Sequence, residues 1–150
     1  MADTTAFDKE VRLQIYRRFA EDGRPPSVEQ TADELQARPD EVADAYRRLA
    51  EGRVIVLDPG TTDVWMANPF CAKPTPFRVE AGDRWWWGTC AWDAPGILAM
   101  LGLDGTVATS CPDCGDPLEL RVEGGDLQRP EGVAHFAVPA AQWWEDIGYT

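Results

Sequence analysis

The chain is poor in positive charge, with 14 lysines and arginines against 26 acidic residues and a net charge of −12 at pH 7. Phosphate backbones and anionic membrane surfaces are held by clustered Lys and Arg, so nucleic acid is not expected as a partner, nor is a membrane surface. No apolar run approaches the roughly 18 residues a membrane span requires. The start Met1-Ala2-Asp3-Thr4-Thr5 leads into a charged helical pattern and not into an apolar signal core. A cytoplasmic protein is therefore expected. Histidine occurs once, at His135, and cysteine only four times. Two disulfides would suit a small secreted protein without a core. Here hydrophobic residues make up 44% of the chain, and with no export signal the thiols are expected to be reduced and used for burial, metal or catalysis. There is no second C-x-x-C, no internal repeat and no low-complexity tract.

What is present reads as an α+β fold of one ordinary domain or two small ones sharing an interface. Residues 7–22 carry apolar groups at 7, 11, 15, 16 and 19, a helical spacing closed by Gly23 and the Pro25-Pro26 break. Ser27 with Gln30 forms a capping-box pattern for a second helix through about Ala37. Pro39 and Asp40 open a third, with Val42, Ala45, Tyr46 and Leu49 on one face. Residues 54–57 and 64–66, separated by Asp58-Pro59-Gly60, read as a β-hairpin. Three helices and a hairpin make a winged-helix-like module over residues 1–68. DNA reading is not its expected use: the third helix carries Asp40, Glu41, Asp44 and Glu51 against Arg47 and Arg48. A packing module or substrate cap is the better expectation.

Three prolines in residues 69–76 predict a stiff, extended connector containing Cys71, which reads as a thiol packed against its neighbours. From residue 77 the pattern changes to short strands, over 77–80, 85–87, 106–109, 118–122 and 133–138, with one helix over about 94–101. Residues 77–150 are thus expected to form a small mixed or antiparallel sheet domain with one helix. His135, in the apolar run 133–138, reads as a structural histidine, and most of the seven tryptophans as core.

The chemistry concentrates in two thiol clusters. Cys90-Ala91-Trp92-Asp93 follows the run Arg84-Trp85-Trp86-Trp87-Gly88-Thr89. On a helix starting near Thr89, Cys90 and Asp93 share a face with Cβ atoms roughly 5–6 Å apart. The helix dipole is expected to lower the thiol's pKa there. The plainer alternative makes Asp93 a helix cap and Cys90 a small buried hydrophobe. Cys111-Pro112-Asp113-Cys114-Gly115 is half of a zinc knuckle, with Cys71, Cys90 or His135 open as further ligands. It also reads as a redox dithiol or a plain tight turn.

Together the stretches Trp87-Gly88-Thr89-Cys90-Ala91-Trp92-Asp93 and Ser110-Cys111-Pro112-Asp113-Cys114-Gly115-Asp116-Pro117 resemble the organomercurial (alkylmercury) lyase family. The resemblance implies that the Cys90 thiolate attacks the mercury of an organomercurial, a soft–soft pairing. It also implies that Asp93 carries a proton to the leaving carbon. Hg(II) is then substrate and product, no cofactor is required, and small thiols or a mercuric reductase are the implied takers of the metal. Cys111 matches a family cysteine that is structural. The family's second catalytic cysteine aligns at or very near the position after Thr150. This leaves open a shortened chain, a recoded selenocysteine, or a divergent relative that uses Cys114 or Cys71 or is no longer catalytic. The competing expectation is a non-enzymatic metal-binding or sensing module built on Cys111 and Cys114, with zinc as its metal; a DNA-binding regulator is a third.

Overall fold

A computed structural model describes residues 5–128 and 132–148. Three helices come first: α1 (Ala6–Asp22), α2 (Val28–Leu35) and α3 (Pro39–Glu51). The first two start as the sequence directs. Thr5 with Asp8, and Ser27 with Gln30, close reciprocal capping boxes that satisfy amide groups at the helix starts. Gly23 ends α1 in the left-handed conformation (φ 71°), and a Cβ there would lie 2.7 Å from the Trp85 carbonyl oxygen. Only glycine lets the end of α1 approach the sheet so closely. Asp8 is buried and receives the Arg48 guanidinium of α3 at 2.6 Å, tying the first and third helices together.

The remaining chain builds one antiparallel sheet. Its strands are β1 (Val56–Leu57), β2 (Val64–Ala67), β3 (Phe70–Cys71), β4 (Arg78–Ala81), β5 (Arg84–Gly88), β6 (Gly105–Ser110), β7 (Pro117–Glu123) and β8 (Asp126–Gln128). They lie in the order β1-β2-β3-β5-β4-β6-β7-β8. The exchange of β4 and β5 brings β5 back beside β3, and helix α4 (Asp93–Leu101) then carries the chain to β6 on the far side of β4. A short 3₁₀ helix, Ala140–Glu145, follows the sheet.

The period of two assigns the faces. Trp86, Val79, Val107 and Leu120 form a row across β5, β4, β6 and β7, with α4 contributing Ala94, Ile97 and Leu98 to the same core. The Trp86 indole N–H donates to the Phe19 carbonyl at 2.9 Å, and the Phe19 and Phe70 rings stack at 5.3 Å. Helix α1 is thereby packed onto the sheet.

Several expectations need correction. The hairpin of β1 and β2 pairs as expected, but it does not stand apart as a wing: β2 pairs with β3, so the sheet continues through it. Residues 69–76 are more than a connector, because Phe70 and Cys71 form a strand between β2 and β5. The run 133–138 forms no strand, and His135 is exposed, not structural. Of the three consecutive tryptophans only Trp86 enters the core; Trp85 is 45% exposed, with the Arg78 guanidinium over its ring. The alternation of side chains along a strand puts its neighbours on the opposite face. The expectation attached to Thr150 lies outside the described residues.

Candidate active site

Strand β5 ends at Gly88 because nothing larger fits there. A Cβ on Gly88 would lie 2.6 Å from the Ala94 Cβ and 2.7 Å from its Cα. The chain can therefore turn at once from the sheet into α4, and residues 89–93 form the turn. The Ala94 amide donates to the Cys90 carbonyl at 3.0 Å and the Asp93 amide to the Cys90 Sγ at 3.4 Å. The sulfur thus accepts from the first amide of α4, two residues ahead of the helix cap at Trp92. The Thr89 hydroxyl donates to the Asp93 carboxylate, fixing that side chain. The two predicted residues are brought together, one turn earlier than a helix beginning at Thr89 would place them.

The electrostatics correct the expected thiolate. Burial pushes the Cys90 thiol up, and the Asp93 carboxylate pushes it the same way; hydrogen bonds from the Asp93 and Trp92 amides oppose both without prevailing. The amide groups at the helix start do not outweigh removal from water beside a carboxylate. At neutral pH Cys90 holds its proton beside the Asp93 carboxylate.

Both side chains line a cleft of about 500 Å³. Trp65, Phe77, Phe136, Trp143 and Ile147 supply apolar walls, and His135 lies at its edge. Phe136 and Trp143 meet at 5.1 Å between ring centroids, which joins the segment after the sheet to this wall. A cleft with apolar walls and a few converging polar groups suits a small organic ligand. Helix α1 reaches the same region, with the Tyr16 hydroxyl donating to the Asn68 carbonyl at 3.1 Å. Burial raises the Tyr16 pKa, with a smaller push from Asp93. A smaller neighbouring pocket, about 300 Å³, is lined by Arg12, Tyr16, Arg53 and Trp144 and contains no thiol.

Cys111 and Cys114 do not line the cleft; they sit in the turn between β6 and β7, held by the Cys111 amide to the Asp116 carbonyl at 2.8 Å. The Cys114 and Asp113 amides and the Cys114 thiol lower the Cys111 pKa. Among the described residues no three His, Cys, Asp or Glu side chains are grouped to hold a metal ion, so neither Cys71, Cys90 nor His135 completes a zinc site with this turn. No described helix is long and apolar enough to cross a membrane.

Sequence reasoning missed two contributors to the cleft and left a third open. Thr89 was adjacent to the motif but carried no chemistry of its own. Trp65 was read as a hairpin residue. Cys71 was read as a packed thiol, with use as a further metal ligand or as a divergent relative's thiol left open, and it lines the cleft from β3.

No curated protein sequence matches the chain. Among solved structures, the mercury-bound form of MerB2 has a similar fold at a TM-score of 0.64 and 20% identity. That likeness covers 81% of this chain and 59% of the other, so the present chain spans a little under three fifths of that protein's length. The sequence model of the alkylmercury lyase (MerB) family matches residues 70–150, more than half of the chain and all of the segment that carries Cys90 and Asp93. On that match, the chain belongs to the alkylmercury lyase family.

Proposed function

We propose that the protein cleaves carbon–mercury bonds by protonolysis, with Cys90 as the mercury-binding nucleophile and Asp93 as the proton carrier. The observation that carries this reading is the pairing of a half-buried thiol and a carboxylate on one turn, joined by the Asp93 amide to Cys90 Sγ bond and opening on an apolar cleft. Mercury is soft and selects sulfur over the harder oxygen ligands. The organic group then lies against the aromatic walls, where its burial contributes about 25 cal/mol per Å².

The raised thiol pKa fits the proton economy of the reaction. Cys90 enters as the thiol, and capture of mercury releases its proton to Asp93 at hydrogen-bonding range. Asp93 hands that proton to the carbon as the carbon–mercury bond breaks, and the carbon keeps the bonding pair. Thr89 holds the carboxylate in place for both transfers. Hg(II) stays at the same oxidation state and leaves by exchange with small thiols, for which a mercuric reductase is the natural consumer.

The test is benzene release from phenylmercury by the 150-residue chain. Release above the thiol-only control, lost in Cys90→Ser and Asp93→Ala with the fold retained, is the expected result. Release that survives either substitution would sink the assignment.

A further inference from the structure

The smaller pocket beside the Cys90 cleft has a chemistry that carbon–mercury cleavage leaves unused. At about 300 Å³ it lies at the lower end for small-molecule sites, and Met66 and Asn68 line both it and the cleft. Arg12 enters it from α1 and Arg53 from the turn after α3. No carboxylate lines it, in a chain with 26 acidic residues. Among the described residues neither of these guanidiniums is in an ion pair, whereas those of Arg47, Arg48 and Arg78 are.

Aromatic faces place the two cations. The Arg12 guanidinium lies 5.6 Å from the centre of the Tyr16 ring and that of Arg53 5.7 Å from the Trp144 ring. Held against a ring face, a guanidinium keeps N–H donors for a ligand. The backbone singles out Arg53 as well. The left-handed residue after α3 is Arg53, at φ 58°, while Gly52 beside it has φ −75°. A residue with a Cβ is strained in that conformation and glycine is not. Strain of this kind collects where a side chain has a task.

We propose that Arg12 and Arg53 form an anion site for the carboxylate of a small aliphatic thiol, whose sulfur reaches mercury in the adjoining cleft. The planar guanidinium fork matches a carboxylate, and Val56 and Met66 suit a short carbon arm. Phosphate fits the same fork, but its second charge is disfavoured by a chain of net charge −12. The thiol rests on the lyase reading, and the carboxylate rests on the pocket alone. The step is an exchange in which Cys90–S–Hg–X and R′–SH give Cys90–SH and R′–S–Hg–X. The incoming proton passes to the Cys90 sulfur, the new mercury–sulfur bond replaces the old one, and nothing is oxidised or reduced. Anchoring the carboxylate makes this encounter a local one.

The test uses the full chain and two probes with a capped sulfur, methylthioacetate and its methyl ester. Their binding is followed by NMR at the Trp144 indole N–H. The carboxylate is expected to bind about 10-fold or more tightly than the ester. That preference should vanish in Arg53→Gly, which suits the left-handed backbone and so keeps the fold, and should weaken in Arg12→Gln. Equal binding of the two probes by the parent, or a preference unmoved in both variants, overturns the proposal. Inorganic phosphate binding more tightly than the carboxylate overturns the choice of ligand. Benzene release from phenylmercury is then compared in mercaptoacetate and mercaptoethanol at matched thiolate concentrations. The parent is expected to turn over faster with limiting mercaptoacetate and to lose that preference in Arg53→Gly; no preference in the parent overturns the role in exchange. No benzene with either thiol would remove the lyase reading and the exchange together, and the probe affinities would still decide the carboxylate site.

Discussion

Replacing Gly88 by alanine tests how the sheet positions the reactive turn. The added methyl carbon would sit 2.6 Å from the Ala94 Cβ, 2.7 Å from its Cα and 3.1 Å from its amide nitrogen. Carbon atoms in contact prefer about 3.5–4.0 Å, so α4 must move by roughly 1 Å at its first turn. The obstacle is backbone and a buried Cβ, with no flexible side chain to swing away. Overpacking of this kind costs about 1–3 kcal/mol, and the stiffness of the site argues for the upper half of that range. For a chain of this size about 2–3 kcal/mol lowers Tm by roughly 4–12 °C. The same displacement separates Cys90 and Asp93 from the cleft walls, and a misplacement near 1 Å is enough to cost on the order of 100-fold in rate. Circular dichroism melting gives the first quantity, and phenylmercury cleavage well below the lowered Tm gives the second. Adding Ala94→Gly removes one of the three close contacts and should restore only part of the stability. A Gly88→Ala protein melting within about 2 °C of the parent, with unchanged cleavage, would refute the claim that this close approach sets the geometry.

Three other outcomes are expected. Asp8→Ala should destabilise by about 2 kcal/mol through loss of the capping box and the Arg48 bonds, measured by urea unfolding. Because the Arg48 hydrogen bonds hold the Asp8 pKa below its ordinary value, that stability is present above the unfolded carboxyl pKa and fades as pH falls through the folded one, so the gap between parent and variant should close in acid. Iodoacetamide at neutral pH should label Cys111 before Cys90, since hydrogen bonds from the Cys114 and Asp113 amides lower the first thiol and burial raises the second. Labelling of Cys90 should gain as pH rises, and mass spectrometry finding Cys90 the faster at neutral pH would contradict both directions. Thr89→Val removes the hydroxyl that holds Asp93 and should slow cleavage roughly 10-fold or more without a comparable loss of Tm; unchanged turnover would show that Asp93 needs no such support.

The helices were legible because their signals are local: apolar spacing closed by Gly23 for α1, the Ser27 and Gln30 capping box for α2, and Pro39 at the start of α3. Strands β4 to β7 were legible as short apolar runs between turns; β8 was not read, and at 133–138 apolar character alone implied a strand that did not form. The strand Phe70–Cys71 was hidden because it is only two residues long, follows a proline, and reaches β5 past the intervening β4. Cys90 and Asp93 were legible as a pair from spacing, but the sign of the thiol's shift was not. The helix start was visible in the sequence, whereas the burial that overrides it belongs to the cleft walls contributed by Trp65, Phe77 and residues beyond 132.

The seam between α1 and the sheet bears on where this chain can be divided. The segment that matches the family begins at Phe70, the residue whose ring stacks on Phe19. A fragment starting there would bare that ring and take from the buried Trp86 indole its acceptor on Phe19. It would also lose Trp65, one wall of the cleft, and the Tyr16 contact beside it. The recognisable part is therefore not a transplantable part. A chimera that joins residues 70–150 to another relative's helices would have to rebuild the Phe19 contact before the thiols could be placed, and a split version of the protein would reassemble along that same line.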